Sequence, residues 1–302
     1  MKCSIIYKEN LDTTLEFALS KIDSNLRTSI IDFLKRYHYK AINEIRIHKN
    51  ASLMLIADSK NVITDIFVGE KEIESTVELL CDGSIYAHID TIKQGYINVG
   101  KGIRAGICGR ASLENGQLCG IRDITSINIR IPQHIINASQ YIFSLLKNEG
   151  FKKSIIIYSA PGVGKTTILR DLAYKLSHVF PPIRHAIIDT KEEITPCILS
   201  EIRADTFISY PKGMAIELAT KSMTPEFIVC DEISSMDESI SILSAVNSGV
   251  KLIATAHASS FDELMSKRIL ACLFECGVFD YAILVERDYG KKKYKFTLES
   301  LK

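Results

Sequence analysis

SAPGVGKTT, Ser159 to Thr167, decides how this chain is read. An apolar run, KSIIIYS (153–159), leads into it, and GKTTILRDLAYKL (164–176) leads out of it. The first reads as a buried strand. The second reads as a helix with Ile168, Leu169, Leu172, Ala173 and Leu176 on one face. A glycine-rich loop between a strand and a helix is built to hold phosphate. Gly162 and Gly164 let backbone N–H groups close around phosphate oxygens without Cβ clashes. The helix start adds partial positive charge and free donors. In this reading Ser159, Ala160, Pro161, Gly162, Val163, Gly164, Lys165, Thr166 and Thr167 form a nucleotide-binding loop. Lys165 reaches the β- and γ-phosphates of ATP, and the Thr166 hydroxyl is a ligand of Mg²⁺. The strict pattern GxxxxGK[ST] fails only at its first position, where Ser159 stands for glycine.

Working outward, strands and helices alternate on the C-terminal side. HAIIDT (185–190), FIVCDE (227–232) and KLIATAH (251–257) read as further buried strands. Helices are expected near 212–223, over 234–249 up to Gly249, and as one segment over 259–277. YAILVERD (281–288) and KYKFTLES (293–300) read as two last strands. The fold class expected for 149–302 is α/β, a mostly parallel sheet covered on both faces. FIVCDE ends in two adjacent carboxylates at the sheet edge where ligands bind. Asp231 is expected in the Mg²⁺ shell, and Glu232 as general base for the attacking water. KLIATAH ends in His257, either a sensor of the γ-phosphate or a structural histidine. Asp189, Glu192 and Glu193 follow the second strand and are either catalytic or merely solvated.

On the N-terminal side, 11–38 reads as one or two amphipathic helices, with Leu11, Leu15, Ala18, Leu19 and Ile22 at helical spacing. Strands at 44–50 and 52–59 and a helix near 70–82 follow. A glycine-rich stretch (95–132) reads as antiparallel strands with Asn115-Gly116 as a hairpin turn. A helix is expected over 133–147, and Asn148-Glu149-Gly150 as a linker. This gives an α+β domain over 1–148 and an ATPase domain over 149–302.

Composition narrows the classes. The 302 residues are 46% hydrophobic and 24% charged, with net charge +1. No global field argues for nucleic acid or an acidic membrane surface. Eight cysteines lack any CxxC pair, which argues against a zinc or thioredoxin-like motif and fits a reduced cytosolic compartment. The opening MKCSIIYKEN lacks a signal-peptide apolar stretch, and no window reaches the roughly 18 apolar residues of a membrane span. The basic KKKYK (291–295) motivates a nucleic-acid motor, against a plain edge strand blunted by lysine.

With these residues in hand, the chain resembles the secretion ATPase superfamily, the RecA-like motors of type II and type IV secretion and pilus assembly. Within it, the chain looks most like the stage III sporulation protein AA family. The resemblance rests on SAPGVGKTTILRDLA, IIDTKEEI, MAIELATKSMTPEFIVCDEIS, AVNSGVKLIATAHASSFDEL and, upstream, ASLENGQLCGIRDITSINIRIP. It implies a RecA-like P-loop core and a homo-hexamer. It also implies a cytoplasmic ATPase on the mother-cell side of a sporulating bacterium, energising a membrane channel complex. By motif, Lys165, Thr166 and Thr167 would bind phosphate and Mg²⁺, with Asp231 and Glu232 as the acidic pair. Glu193 would be the acidic-box glutamate and His257 the histidine-box residue. Arg104, Arg122 and Arg130 are candidates for an arginine that reaches the nucleotide, or else surface arginines. The family pattern has an arginine in the loop after the second strand, where this chain has Lys191. That change and Ser159 motivate a further reading, a nucleotide-dependent scaffold with little hydrolysis.

Overall fold

A computed structural model describes residues 13–39, 41–58, 60–114, 117–199, 201–288 and 293–301. The described residues fall into two compact units that meet in sequence at Gln133/His134. This is ahead of the expected 148/149 boundary, because the helix of Gln140–Asn148 buries Ile142 and Leu146 in the second unit's core.

The first unit begins with α1 (Thr13–Ser20) and α2 (Ser24–Tyr37). Asp23 starts α2 by accepting from the N–H groups of Asn25 and Leu26 at 2.9 and 3.2 Å. Strands β1 (Ile42–His48), β2 (Ala51–Ala57) and β3 (Lys60–Val68) follow, then α3 (Glu70–Leu80) and α4 (Ile89–Lys93). Last come β4 (Tyr96–Gly100), β5 (Ile103–Glu114) and β6 (Gln117–Arg130). They form one sheet in the order β3-β2-β1-β6-β5-β4, every pairing antiparallel. The α+β expectation therefore stands for this half. The expected Asn115-Gly116 turn and Leu11 lie outside the described residues, but β5 and β6 pair right up to Glu114 opposite Gln117. The buried side chains Ile45, Ile47, Leu53, Leu55, Ile127 and Ile129 form one core with those of α1 to α3.

The second unit holds α5 (Gln140–Asn148), β7 (Ile155–Ser159), α6 (Lys165–His178), β8 (His185–Asp189) and β9 (Asp205–Ile208). It continues with α7 (Lys212–Leu218), which runs on as a π turn to Met223, and β10 (Phe227–Glu232). Then come α8 (Met236–Asn247), β11 (Lys251–His257), α9 (Phe261–Met265), α10 (Arg268–Glu275), β12 (Tyr281–Asp288) and β13 (Lys293–Ser300). The sheet order is β13-β12-β7-β11-β10-β8-β9, all parallel except the β12–β13 pair.

Alternation along each central strand feeds two cores. Ile155 and Ile157 of β7 face one, with Phe227, Val229 and Ile253. Ile156 and Tyr158 face the other, with Ile228, Cys230, Leu252 and Ala254. Side chains from α5 and α6 join the first core; those of α7, α8, α9 and α10 join the second. Each buried Ile or Leu contributes roughly 1.5–3 kcal/mol, so the strands are fixed by both faces at once.

Two expected helices differ in extent. Residues 133–135 are irregular and 136–139 a turn rather than helix, since the buried Asp171 carboxylate accepts from Asn137 N (3.0 Å), Ser139 N (2.8 Å) and Ser139 Oγ (2.6 Å). The segment 259–277 is two helices, broken at Ser266-Lys267.

Candidate active site

The glycine loop expected to hold phosphate leaves β7 at its C-terminal end and opens α6. Within the loop only Gly162 (φ 77°) and Gly164 (φ 123°) have positive φ. Both are backbone positions that L side chains rarely adopt. Ser159 has no such φ, so the glycine of the usual pattern is not required there. Gly164 starts α6 with no side-chain cap, leaving the first N–H groups of the helix as open donors.

Lys165 is the first residue of α6 and is largely buried. Its Nζ donates to Ser159 O (3.1 Å), Ser159 Oγ (3.2 Å) and Ala160 O (3.4 Å). It also lies 2.8 Å from His257 Nδ1. Burial pushes the Lys165 pKa below the ordinary lysine value, although the Glu232 charge works the other way. His257 Nε2 in turn stands 3.3 Å from Glu232 Oε2. The sheet order explains this chain of contacts. β11 lies between β7 and β10, so His257 at its end bridges the lysine of one neighbour and the glutamate of the other. Sequence order alone puts His257 after the acidic pair; the sheet puts it in the middle.

Asp231 is held differently. Lys212, at the first turn of α7 and with a side chain only 5% exposed, places its Nζ 2.7 Å from Asp231 Oδ1 and 3.6 Å from Glu238 Oε2. It also donates to the Glu232 carbonyl. Burial alone would depress the Lys212 pKa, yet with Cys230, Asp231 and Glu238 around it the value is raised above the ordinary one. Lys212 is the residue that motif reading missed. Its signal was a cation in the first turn of an apolar helix, where the helix dipole disfavours it and some carboxylate must compensate. Burial pushes the Cys230 thiol up to about 12, an inert core residue as its apolar run implies.

The loop after β8 is organised by its own aspartate. The Asp189 carboxylate accepts from Glu193 N (2.8 Å), Ile194 N (3.0 Å), Thr195 N (2.8 Å) and Thr195 Oγ1 (2.7 Å). Arg170 of α6 binds the same loop from outside, through the Ile194 carbonyl at 3.1 Å and the Glu193 carbonyl. Asp189 thus organises its own loop and is not merely solvated. Glu193 sits exposed on this loop, and Glu192 accepts from Ser209 Oγ at 2.8 Å. In the first unit, Arg104 and Arg130 are register partners on β5 and β6 and both are exposed. Arg130 lies 3.6 Å from Glu44, and Arg104 lies over the Tyr96 ring. Arg122, also exposed, pairs in register with Arg110.

Among the described residues no group of three or more His, Cys, Asp or Glu side chains is set to hold a metal. Mg²⁺ in a phosphate loop needs no such cage, because one hydroxyl, one carboxylate, phosphate oxygens and waters suffice. Thr166 and Asp231 are the hydroxyl and carboxylate that the sequence reading expects for that pair. Among the described residues, no helix is long and apolar enough to cross a membrane.

Residues 19–295 match the protein family described as "Sporulation stage III, protein AA". The chain belongs to that family. It is 31% identical to stage III sporulation protein AA of Bacillus subtilis (strain 168) over 259 residues, 82% of this chain and 84% of that one. Among solved structures it is similar to the ATPase DotB of Legionella pneumophila, with a TM-score of 0.57 and 14% identity, covering 91% of this chain and 79% of that chain. It is also similar to the pilus retraction motor PilT, solved with bound ADP, with a TM-score of 0.59 and 14% identity, covering 90% and 82%. The fold is therefore that of the RecA-like secretion ATPases, as the resemblance implied.

Proposed function

We propose that this protein is an ATP-hydrolysing motor of the secretion ATPase type, acting in sporulation. The single observation that carries the reading is the run Lys165–His257–Glu232, with contacts of 2.8 and 3.3 Å across three neighbouring strand ends. A lysine at the loop and a carboxylate joined to it through one histidine suit hydrolysis of a terminal phosphate, one as a cation for the phosphate and the other as a base for water. Lys165 exchanges its resting partners, Ser159 and His257, for phosphate oxygens. Glu232 takes a proton from the attacking water. His257, in contact with both, orients the carboxylate and reports the state of the lysine. The Thr166 hydroxyl and Asp231 would hold Mg²⁺, which when bound neutralises charge on the phosphates. Lys212 keeps Asp231 and the Glu232 backbone in place from behind.

The remaining parts of the reading extend from the family. The working form is a homo-hexamer at a membrane channel complex on the mother-cell side, with Arg104, Arg122 or Arg130 as a donor to a neighbouring copy's nucleotide. The first domain, whether bounded at 133 or at 148, serves as the arm that carries these arginines. Glu193 is the acidic-box residue beside the site. A nucleic-acid motor is less favoured, because Lys295 of the basic stretch is paired with Glu286 at 2.9 Å on an edge strand.

The test is ATP turnover of the purified chain beside its Glu232→Gln variant. Turnover should fall by about 10²–10⁴ in the variant, with ATP affinity kept within a few-fold. Absence of turnover in the unaltered chain under every oligomerising condition would sink hydrolysis and leave the nucleotide-dependent scaffold.

A further inference from the structure

Tyr294, on β13, touches the phosphate loop from the side opposite the hydrolytic groups. A Cβ placed on Gly164 would lie 2.4 Å from the Tyr294 hydroxyl oxygen and 3.1 Å from two of its ring carbons. The ring therefore rests on the bare Cα of Gly164. The ring is only partly buried, and Phe296 backs it at 6.2 Å between centroids. Phe296 is itself stacked on Tyr141 at 5.1 Å. Nothing in the hydrolytic chemistry uses this tyrosine.

The sheet gives it a direction. β7 has β11 on one side and β12 on the other. Lys165, His257 and Glu232 meet on the β11 side, so the terminal phosphate belongs there. With the γ-phosphate on the β11 side, a triphosphate laid across the loop carries its nucleoside toward the β12 side. β13 pairs with β12, opposite Arg287 at Tyr294. Tyr294 is the aromatic side chain that meets the loop on that side, next to the helix start that would hold the first phosphate.

We propose that Tyr294 is the nucleoside platform of the site, its ring receiving the base or ribose that follows the α-phosphate. This rests on the phosphate-loop reading above. Stacking of a base on an aromatic ring is tolerant of base identity. Tyr294 thus separates nucleotides from bare polyphosphate rather than adenine from guanine. Gly164 then has two reasons to be glycine: its positive φ and the ring lying against it.

The experiment compares the affinity of the full chain for ATP and for inorganic tripolyphosphate in the unaltered protein, Tyr294→Phe, Tyr294→Ala and Lys165→Ala. Tyr294→Ala should weaken ATP about tenfold, the lower range of base–aromatic stacking, and leave tripolyphosphate within twofold. Retained tripolyphosphate binding also reports an intact loop. Tyr294→Phe should keep ATP affinity within twofold. Equal weakening of both ligands by Tyr294→Ala overturns the proposal, because the ring then only shapes the loop. No weakening of either overturns it as well. If Lys165→Ala leaves both ligands bound as before, the phosphate-loop reading itself fails, and the platform with it.

Discussion

Four helices of the second unit, α6 to α9, follow parallel strands and so start at the same edge of the sheet; α7 starts uncapped with its first residue, Lys212, already paired to Asp231 and Glu238, and the other three start in two ways. α8 and α9 are closed. Ser235 Oγ accepts from Glu238 N at 3.2 Å, and the Glu238 carboxylate accepts from Ser234 N at 2.7 Å. Ser260 and Glu263 repeat this on Ser259, at 3.2 and 2.7 Å. α6 is open. It begins on Gly164, has no side-chain cap, and carries a lysine at its first position. A cation at an uncapped helix start is unfavourable by itself. The arrangement makes sense when an anion arrives to take the open donors and the lysine together. The closed helices satisfy their own first donors; the open one does not.

That contrast can be broken most strongly at Lys165. Lys165→Ala should lower ATP affinity on the order of a thousandfold, about 4 kcal/mol for two or three charge-assisted hydrogen bonds. Thermal stability should be unchanged or higher, since burial already disfavours the charged lysine. Isothermal titration with a thermal melt reads both. Loss of stability with ATP affinity kept would place α6 among the closed helices.

Asp189 tests the opposite behaviour at the same edge. Its carboxylate uses its lone pairs on three backbone N–H groups and one hydroxyl of its own loop. Asp189→Ala leaves those buried donors without a partner and should destabilise by about 3 kcal/mol, read from the denaturation midpoint. ATP affinity of the folded fraction should change only a few-fold. Next in size, Ser235→Ala removes one cap and should cost about 1 kcal/mol of stability with no change in nucleotide binding.

How much of this was legible follows from which contacts are local. Parallel strands buried on both faces appear as apolar runs, so IIIYS, HAIID, FIVCD and KLIATA stand out, and the glycine loop lies right between a strand and a helix. The order of strands in the sheet is not local. That β11 sits between β7 and β10, and so makes His257 a bridge, depends on hydrogen bonds between segments far apart. The turn at 136–139 was hidden for the same reason: it is fixed by Asp171, thirty-two residues beyond Ser139. β9 is four residues long and only partly buried, too short to show a period. Lys212 at a helix start signalled a compensating carboxylate, but which one was not legible, because Asp231 and Glu238 come later in the chain.

The smallest expected effect concerns the first residue of the loop. Ser159 departs from the glycine-led pattern, yet it ends β7 opposite His257 with ordinary backbone angles, and Ala258 N donates to its carbonyl at 3.2 Å. Its role lies in the side chain, since Oγ donates to Ala160 O at 2.8 Å and accepts from Lys165 at 3.2 Å. Ser159→Gly removes one resting partner of the lysine but keeps the carbonyl partners and the whole N–H cradle. ATP should then bind within about threefold of its original affinity, below about 0.7 kcal/mol, and on the tighter side, because the unliganded lysine has lost a hydrogen bond that ATP must displace. Titration of ATP into both proteins measures this directly. A tenfold loss would mean that Ser159 Oγ contacts the nucleotide itself, and that the loop differs from the glycine-led pattern in chemistry as well as in sequence.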